Sequence, residues 1–151
     1  MEIVHIEWKG PFNIDEAKNK NGEDDFGIYQ IYLDHSVYGK GALSYIGSTS
    51  DTFALRILSH ESWLKDSDNG EVLIYTGKLR KDDWYTHYEK DPKEIGKIEK
   101  LLIYSHQPAY NKEYKEIQND QDIQELHILN WDKRGNLLPE VSGARWTSKY
   151  N

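Results

Sequence analysis

Apolar positions in this 151-residue chain come in short runs of differing period, and the period changes mark the elements. Ile3, Val4, Ile6 and Trp8 form the first run, and Gly10-Pro11 behind them is a turn signal. Residues 13–17 can cap a short helical turn, and residues 19–25 (NKNGEDD) are a polar loop. Residues 26–33 (FGIYQIYL) are dense in β-branched and aromatic side chains with no polar alternation, the signature of a buried strand. Residues 34–41, with Gly39 and Gly41, read as a loop, and residues 42–47 (ALSYIG) as the second strand of an antiparallel pair.

From Thr52 to about Lys65 the period becomes helical. Phe53, Ala54, Ile57, Leu58 and Leu64 share one broad face, while Arg56, His60 and Trp63 recur at i, i+4, i+7 on the neighbouring one. Residues 66–70 (DSDNG) stop this helix. Residues 72–75 and 84–88 read as strands, a possible hairpin across 78–83, and either could complete the central sheet. Asp91-Pro92 opens a second helix with proline in the first turn, where its missing N–H costs nothing. Ile95, Ile98, Leu102 and Ile103 form its apolar arc, with Glu99 inside that arc; Pro108 ends the helical region. Residues 112–125 are polar, helical or loop. Residues 126–131 and 137–141, flanking Asp132-Lys133-Arg134-Gly135-Asn136, predict a C-terminal hairpin whose Pro139 belongs on an edge.

Composition narrows the chemistry. Hydrophobic residues make up 37% and aromatics 13%, enough to build a core, and the length suits one domain with decorations. The absence of cysteine excludes disulfides, thiolate zinc sites and a cysteine nucleophile. No apolar stretch reaches membrane-spanning length and no basic-then-apolar leader opens the chain, so a cytoplasmic protein without membrane contact is expected. There is no phosphate-loop signature, no H-E-x-x-H and no G-x-S-x-G, and the six histidines are too scattered for a zinc cluster. The net charge of −7 argues against broad nonspecific affinity for DNA. Its distribution is uneven: residues 1–25 hold seven acids against three bases, residues 26–111 twelve against ten. Bases cluster at Lys78, Arg80 and Lys81, the expected substrate-binding rim, and again between Lys90 and Lys100.

Two tripeptides, Gly27-Ile28-Tyr29 and Tyr45-Ile46-Gly47, are separated by fifteen residues and followed in order by Arg56, His60, Glu99 and Asn111. This ordered set resembles the GIY-YIG nuclease family over residues 26–111. The resemblance implies an α/β fold with a small, mostly antiparallel central β-sheet flanked by α-helices. Residues 1–25 would then be an N-terminal extension docking on the domain, and residues 112–151 a C-terminal extension carrying the hairpin. It also implies a metal-dependent DNA endonuclease that hydrolyses phosphodiester bonds with one Mg²⁺ (or Mn²⁺) on Glu99.

Each residue also reads without the family. A carboxylate on the buried side of a helix is costly unless a cation compensates it, so Glu99 is a metal ligand or the partner of Arg56 or a lysine. Arg56 can hold a phosphate and offset developing charge, or pair with Glu61 or an aspartate at the surface. His60 can position water or phosphate, or be a half-buried helix histidine. A tyrosine serves as general base only if a nearby cation lowers its pKa. The resemblance places that base at Tyr29, with Tyr45 as its hydrogen-bonding neighbour, and gives Asn111 a bracing role. The sequence departs from the family in the long segment at 34–41, in Ser48-Thr49 where many relatives carry Lys, and in its acidity. The alternative reading is a catalytically inactive module of the same fold that binds DNA or protein.

Overall fold

The run at 27–33 is buried at every position, Gln30 included, because its strand is covered on both faces and paired on both edges. The computed structural model describes residues 1–116 and 121–146. In chain order the elements are β1 (Glu2–Phe12), α1 (Ile14–Ala17), β2 (Gly27–His35), β3 (Gly39–Thr49), α2 (Phe53–Leu64), β4 (Leu73–Arg80), α3 (Pro92–His106), α4 (Gln121–Gln124), β5 (Leu126–Asp132) and β6 (Glu140–Ser142). The protein is therefore α/β, around one six-stranded sheet ordered β3-β2-β4-β1-β5-β6.

The sheet is mixed, which corrects the expectation of a mostly antiparallel one. β1 pairs in parallel with β5 over Glu2↔Leu126 to Trp8↔Asp132, while the other four pairings are antiparallel. The N-terminal run is an interior strand rather than a docked leader. It alternates buried Val4, Ile6 and Trp8 with more exposed neighbours, so one face of β1 enters the core and the other meets water. A parallel β1–β5 pair needs a long crossover, and α3 lies within that crossover.

Two further expectations change. Residues 34–41 do not form a long loop: β2 runs to His35 and β3 starts at Gly39, which leaves a tight connection at 36–38. Of the two candidate strands after α2, the first extends to Arg80 and completes the sheet between β2 and β1. The second contributes only an isolated bridge, Arg80↔His87. Trp84 sits there at φ +67°, a backbone state foreign to a strand. The C-terminal pair forms as β5 and β6 with Ile128↔Val141 in register. The polar stretch 112–125 has one helical turn at its end, while its residues 117–120, and 147–151 of the C-terminal extension, lie outside the described residues.

The helices start where their caps dictate. Thr52 accepts from the Leu55 N–H at the start of α2, and Asp91 accepts from the Lys93 N–H before Pro92 opens α3. Asn13 and Glu16 form a reciprocal capping box on α1. α2 and α1 cover one face of the sheet over a core of Tyr29, Ile31, Leu33, Phe53, Ile57, Leu64 and Ile74. α3 covers the other over Val4, Ile6, Trp8, Ile28, Ile46 and Ile128. Each fully buried aliphatic side chain of this kind contributes about 1.5–3 kcal/mol from removal of apolar surface from water. The two layers face each other across β2 and β3, and the candidate site forms at the outer end of that pairing.

Candidate active site

β2 and β3 are neighbours, with Tyr29 opposite Gly47 and Ile31 opposite Tyr45, so both tripeptide tyrosines project to the α2 face. Glycine is required at 47, because a Cβ there would lie 2.3 Å from Tyr29 Cζ. It is equally required at 27, where φ is +138° and a Cβ would meet the Gly77 carbonyl at 2.3 Å. Gly47 therefore makes room for the Tyr29 ring, and Gly27 lets β2 lie close against β4.

α2 brings Arg56 and His60 onto the same tyrosine from one helical turn apart. Arg56 Nε donates to Tyr29 Oη at 3.4 Å, and Tyr29 Oη lies 3.0 Å from His60 Nε2. Burial, reinforced by Arg56, pushes the His60 pKa down and favours neutral imidazole. With His60 neutral, both contacts are satisfied when Arg56 donates to Tyr29 and Tyr29 donates to His60 Nε2. Burial is also the main cause that raises the pKa of Tyr29, with Tyr45 adding to it and Arg56 opposing it. Tyr45 is raised chiefly by burial and then by Glu99. Arg56 keeps an exposed guanidinium whose proton the Tyr29 contact holds more firmly. Glu61, one of the two surface partners considered for Arg56, pairs instead with Lys18 and Lys65.

Glu99 arrives from α3, on the face of the sheet opposite α2. Ser48 Oγ donates to Glu99 Oε2 at 2.5 Å. Burial raises the Glu99 pKa, with Ser48 and Arg56 working against the rise and Glu113 adding to it. Ser48, which stands where relatives of the resembled family often have lysine, is thus the group that orients the carboxylate. Asn111 braces the same edge: its Oδ1 accepts from Ile46 N at 2.9 Å and its Nδ2 donates to Ile46 O at 3.0 Å. Next to it, Ala109 N and Tyr110 N donate to Leu43 O and Ser44 O. Residues 109–111 thereby cover the open edge of β3, which would otherwise present unpaired backbone groups.

A cleft of about 610 Å³ opens beside these groups, lined among others by Tyr45, His60, Trp63, Glu99, Tyr110 and Asn111. Tyr29 has no exposed surface and lies behind its wall. The expected substrate rim is not assembled there. Lys78 pairs with Asp25 at 3.7 Å, and Arg80 pairs with Glu7 at 3.1 Å. Lys81 lines a separate small cleft with Glu2, Glu89, Asp91 and Glu94. Lys112 is the cation at the margin of the large cleft, in a polar segment whose sequence carried no signal. Trp63 was visible as the i+7 companion of Arg56 and His60. Tyr110 was hidden as the neighbour of Asn111.

Among the described residues, no three His, Asp or Glu side chains gather into a metal-binding group. A partly desolvated carboxylate held by Ser48, on an open cleft that it shares with Tyr45, Tyr110 and Glu113, still fits Mg²⁺, which retains most of its waters and takes few protein ligands. Tyrosine hydroxyls, a neutral imidazole, a guanidinium and one carboxylate around one cleft can together move a proton and hold an anion. No protein-family model, curated protein or solved structure matches the chain, so the site is characterised by its own geometry.

Proposed function

We propose that this protein is a metal-dependent endonuclease of GIY-YIG type that hydrolyses phosphodiester bonds in DNA. The observation that carries this reading is convergence. Tyr29, Tyr45, Arg56, His60, Glu99 and Asn111 come from β2, β3, α2, α3 and the segment after α3, and all meet at or immediately behind one cleft. A structural role for each one separately would not require that they share a site.

Tyr45 and His60 face the cleft, whereas Tyr29 is sealed behind it. The proton-accepting function therefore belongs to the Tyr29–Tyr45–His60 group rather than to Tyr29 alone. Tyr29 relays to the neutral His60 Nε2, which avoids a free phenolate in a buried position where ionisation is disfavoured. Arg56, an exposed residue, holds Tyr29 through Nε, and its remaining N–H groups can bind the scissile phosphate and stabilise charge that builds on it. Ser48 fixes Glu99, and Asn111 fixes the backbone of the second tripeptide. A divalent cation held by Glu99 would supply Lewis-acid stabilisation of the phosphate and leaving oxygen.

The test is a panel of duplex, nicked, branched and single-stranded DNA incubated with Mg²⁺ or Mn²⁺ and either wild-type protein or Glu99→Gln. Glu99→Gln keeps shape and removes charge, and should lower cleavage by at least about 10²-fold while the melting temperature stays near wild type. Wild-type cleavage by this variant would refute the metal assignment. An unfolded variant would favour the structural ion-pair reading instead.

A further inference from the structure

We propose, resting on the nuclease reading above, that the substrate is DNA with unpaired nucleotides at the cut, received on a ladder of aromatic rings leading from Tyr45 to the β2–β3 turn. The rings touch in series. Tyr45 lies 5.9 Å from Trp63, Trp63 lies 5.9 Å from Tyr110, Tyr110 lies 5.2 Å from His35, and His35 lies 4.8 Å from Tyr38, centroid to centroid. The ladder therefore begins at a side chain of the reacting group and ends on the tight connection that lengthens the segment between the tripeptides.

Three features separate this ladder from ordinary core packing. Its outer members are open to solvent, with Tyr110 39% and Tyr38 70% exposed. Trp63 and Tyr110 line the same cleft as Glu99 and His60, and its volume of about 610 Å³ is within the range that holds a small organic ligand. Finally, the turn that carries Tyr38 is held in shape, since His35 Nδ1 accepts from both Val37 N and Tyr38 N.

Charge selects between duplex and unpaired DNA. A duplex is held mainly by neutralisation of many phosphates. Here the cleft carries Glu99 and Glu113 beside Lys112, and the β4 cations are engaged by Glu7 and Asp25. Stacking of exposed bases on aromatic rings supplies affinity without a dense basic track and tolerates any base. A base can reach these rings only when it is out of the helical stack, in a single strand, a flap or a gap.

The test compares labelled oligonucleotides of one sequence as perfect duplex, gapped duplex, 5′ flap and single strand, with Mg²⁺. The expected result is cleavage at or next to the unpaired nucleotides, with kcat/KM at least about tenfold above perfect duplex. Tyr110→Ala should raise KM on unpaired substrates roughly 5- to 150-fold and leave kcat nearly unchanged, and Trp63→Ala should raise KM at least as much while also lowering kcat, since its ring packs against Tyr45 and His60. Trp63→Phe should retain most of the affinity. The exposed Tyr38→Ala, which cannot disturb the core, should give a smaller rise of the same kind. Equal cleavage of duplex and unpaired DNA, with the ring variants neutral, overturns this proposal and leaves the nuclease reading intact. Absence of Glu99-dependent cleavage on every substrate overturns the nuclease reading. The ladder is then judged by fluorescence anisotropy of a labelled single strand, where equal affinity for wild type, Trp63→Ala and Tyr110→Ala would overturn it too.

Discussion

The two halves of the sheet are built by opposite rules. In the half containing β3, β2 and β4, α2 and α3 lie on opposite faces, and β2 is buried at seven successive positions. In the other half, β1 and β5 alternate, with Val4, Ile6, Trp8 and Ile128 inward and His5, Glu7, Lys9 and Trp131 toward water. His5, Trp84 and Trp131 rest on one another there, and Trp131 Nε1 donates to His5 Nδ1. The candidate site lies in the half with two covered faces. Close packing there fixes the tyrosine and imidazole positions, and it also shifts their protonation equilibria. The one-sided half completes the sheet and leaves its outer face adaptable.

The largest effect on this contrast is expected at Arg56, which reaches from the exposed side of α2 to the buried Tyr29. Arg56→Ala should reduce the single-turnover rate by about 10²-fold or more and weaken DNA binding far less, because its contribution lies with transition-state charge. Arg56→Lys should not restore the rate fully, since a point charge cannot both hold Tyr29 through a nitrogen like Nε and fork toward a phosphate. Equal losses in rate and affinity would make it a simple phosphate contact.

Gly47→Ala drives a methyl group into the Tyr29 ring and should cost about 1–3 kcal/mol by urea denaturation. Lys9→Ala on the open face of β1 should stay within about 0.5 kcal/mol. Similar values for the two would dissolve the distinction between the halves.

The smallest effect sharpens the electrostatic side. His60 has a folded-state pKa below its ordinary value, so the unfolded chain binds more protons in the window between them. Its contribution is therefore fully present above about 6.5 and is lost as pH falls through the lower folded value. Glu99 runs the other way. Its folded pKa is raised, so stability from this group declines as pH rises through the carboxylate range toward that raised value. Stability curves of wild type and His60→Gln should diverge on the acid side of pH 6.5, and those of wild type and Glu99→Gln should converge as pH falls below about 4.5. Parallel curves across pH 4–8 would show that neither group is perturbed by its burial.

The two long helices and five of the six strands were legible because their signals are local. The helical period starts at Thr52, Asp91-Pro92 begins α3, the i, i+4, i+7 spacing of Arg56, His60 and Trp63 puts them on one face, and FGIYQIYL reads as a buried strand. The order of the tripeptides and the later Arg, His, Glu and Asn was likewise written in the chain.

Tertiary structure alone decided the rest, because it depends on partners distant in sequence. The run at 2–12 became an interior strand through parallel pairing with β5, more than a hundred residues away, and no local pattern distinguishes that place from a docked leader. Lys78 and Arg80 looked like a free basic cluster until folding set them against Asp25 and Glu7. Ser48 became the partner of Glu99 and Tyr110 the continuation of Trp63 only when α3 and the segment behind it closed on the edge of β3. Sequence alone determined which side chains with the required chemistry are present and on which element each sits. Folding decided which of them share a cleft and which are neutralised elsewhere, since ion pairing, burial and ring contact are set by distances across the fold.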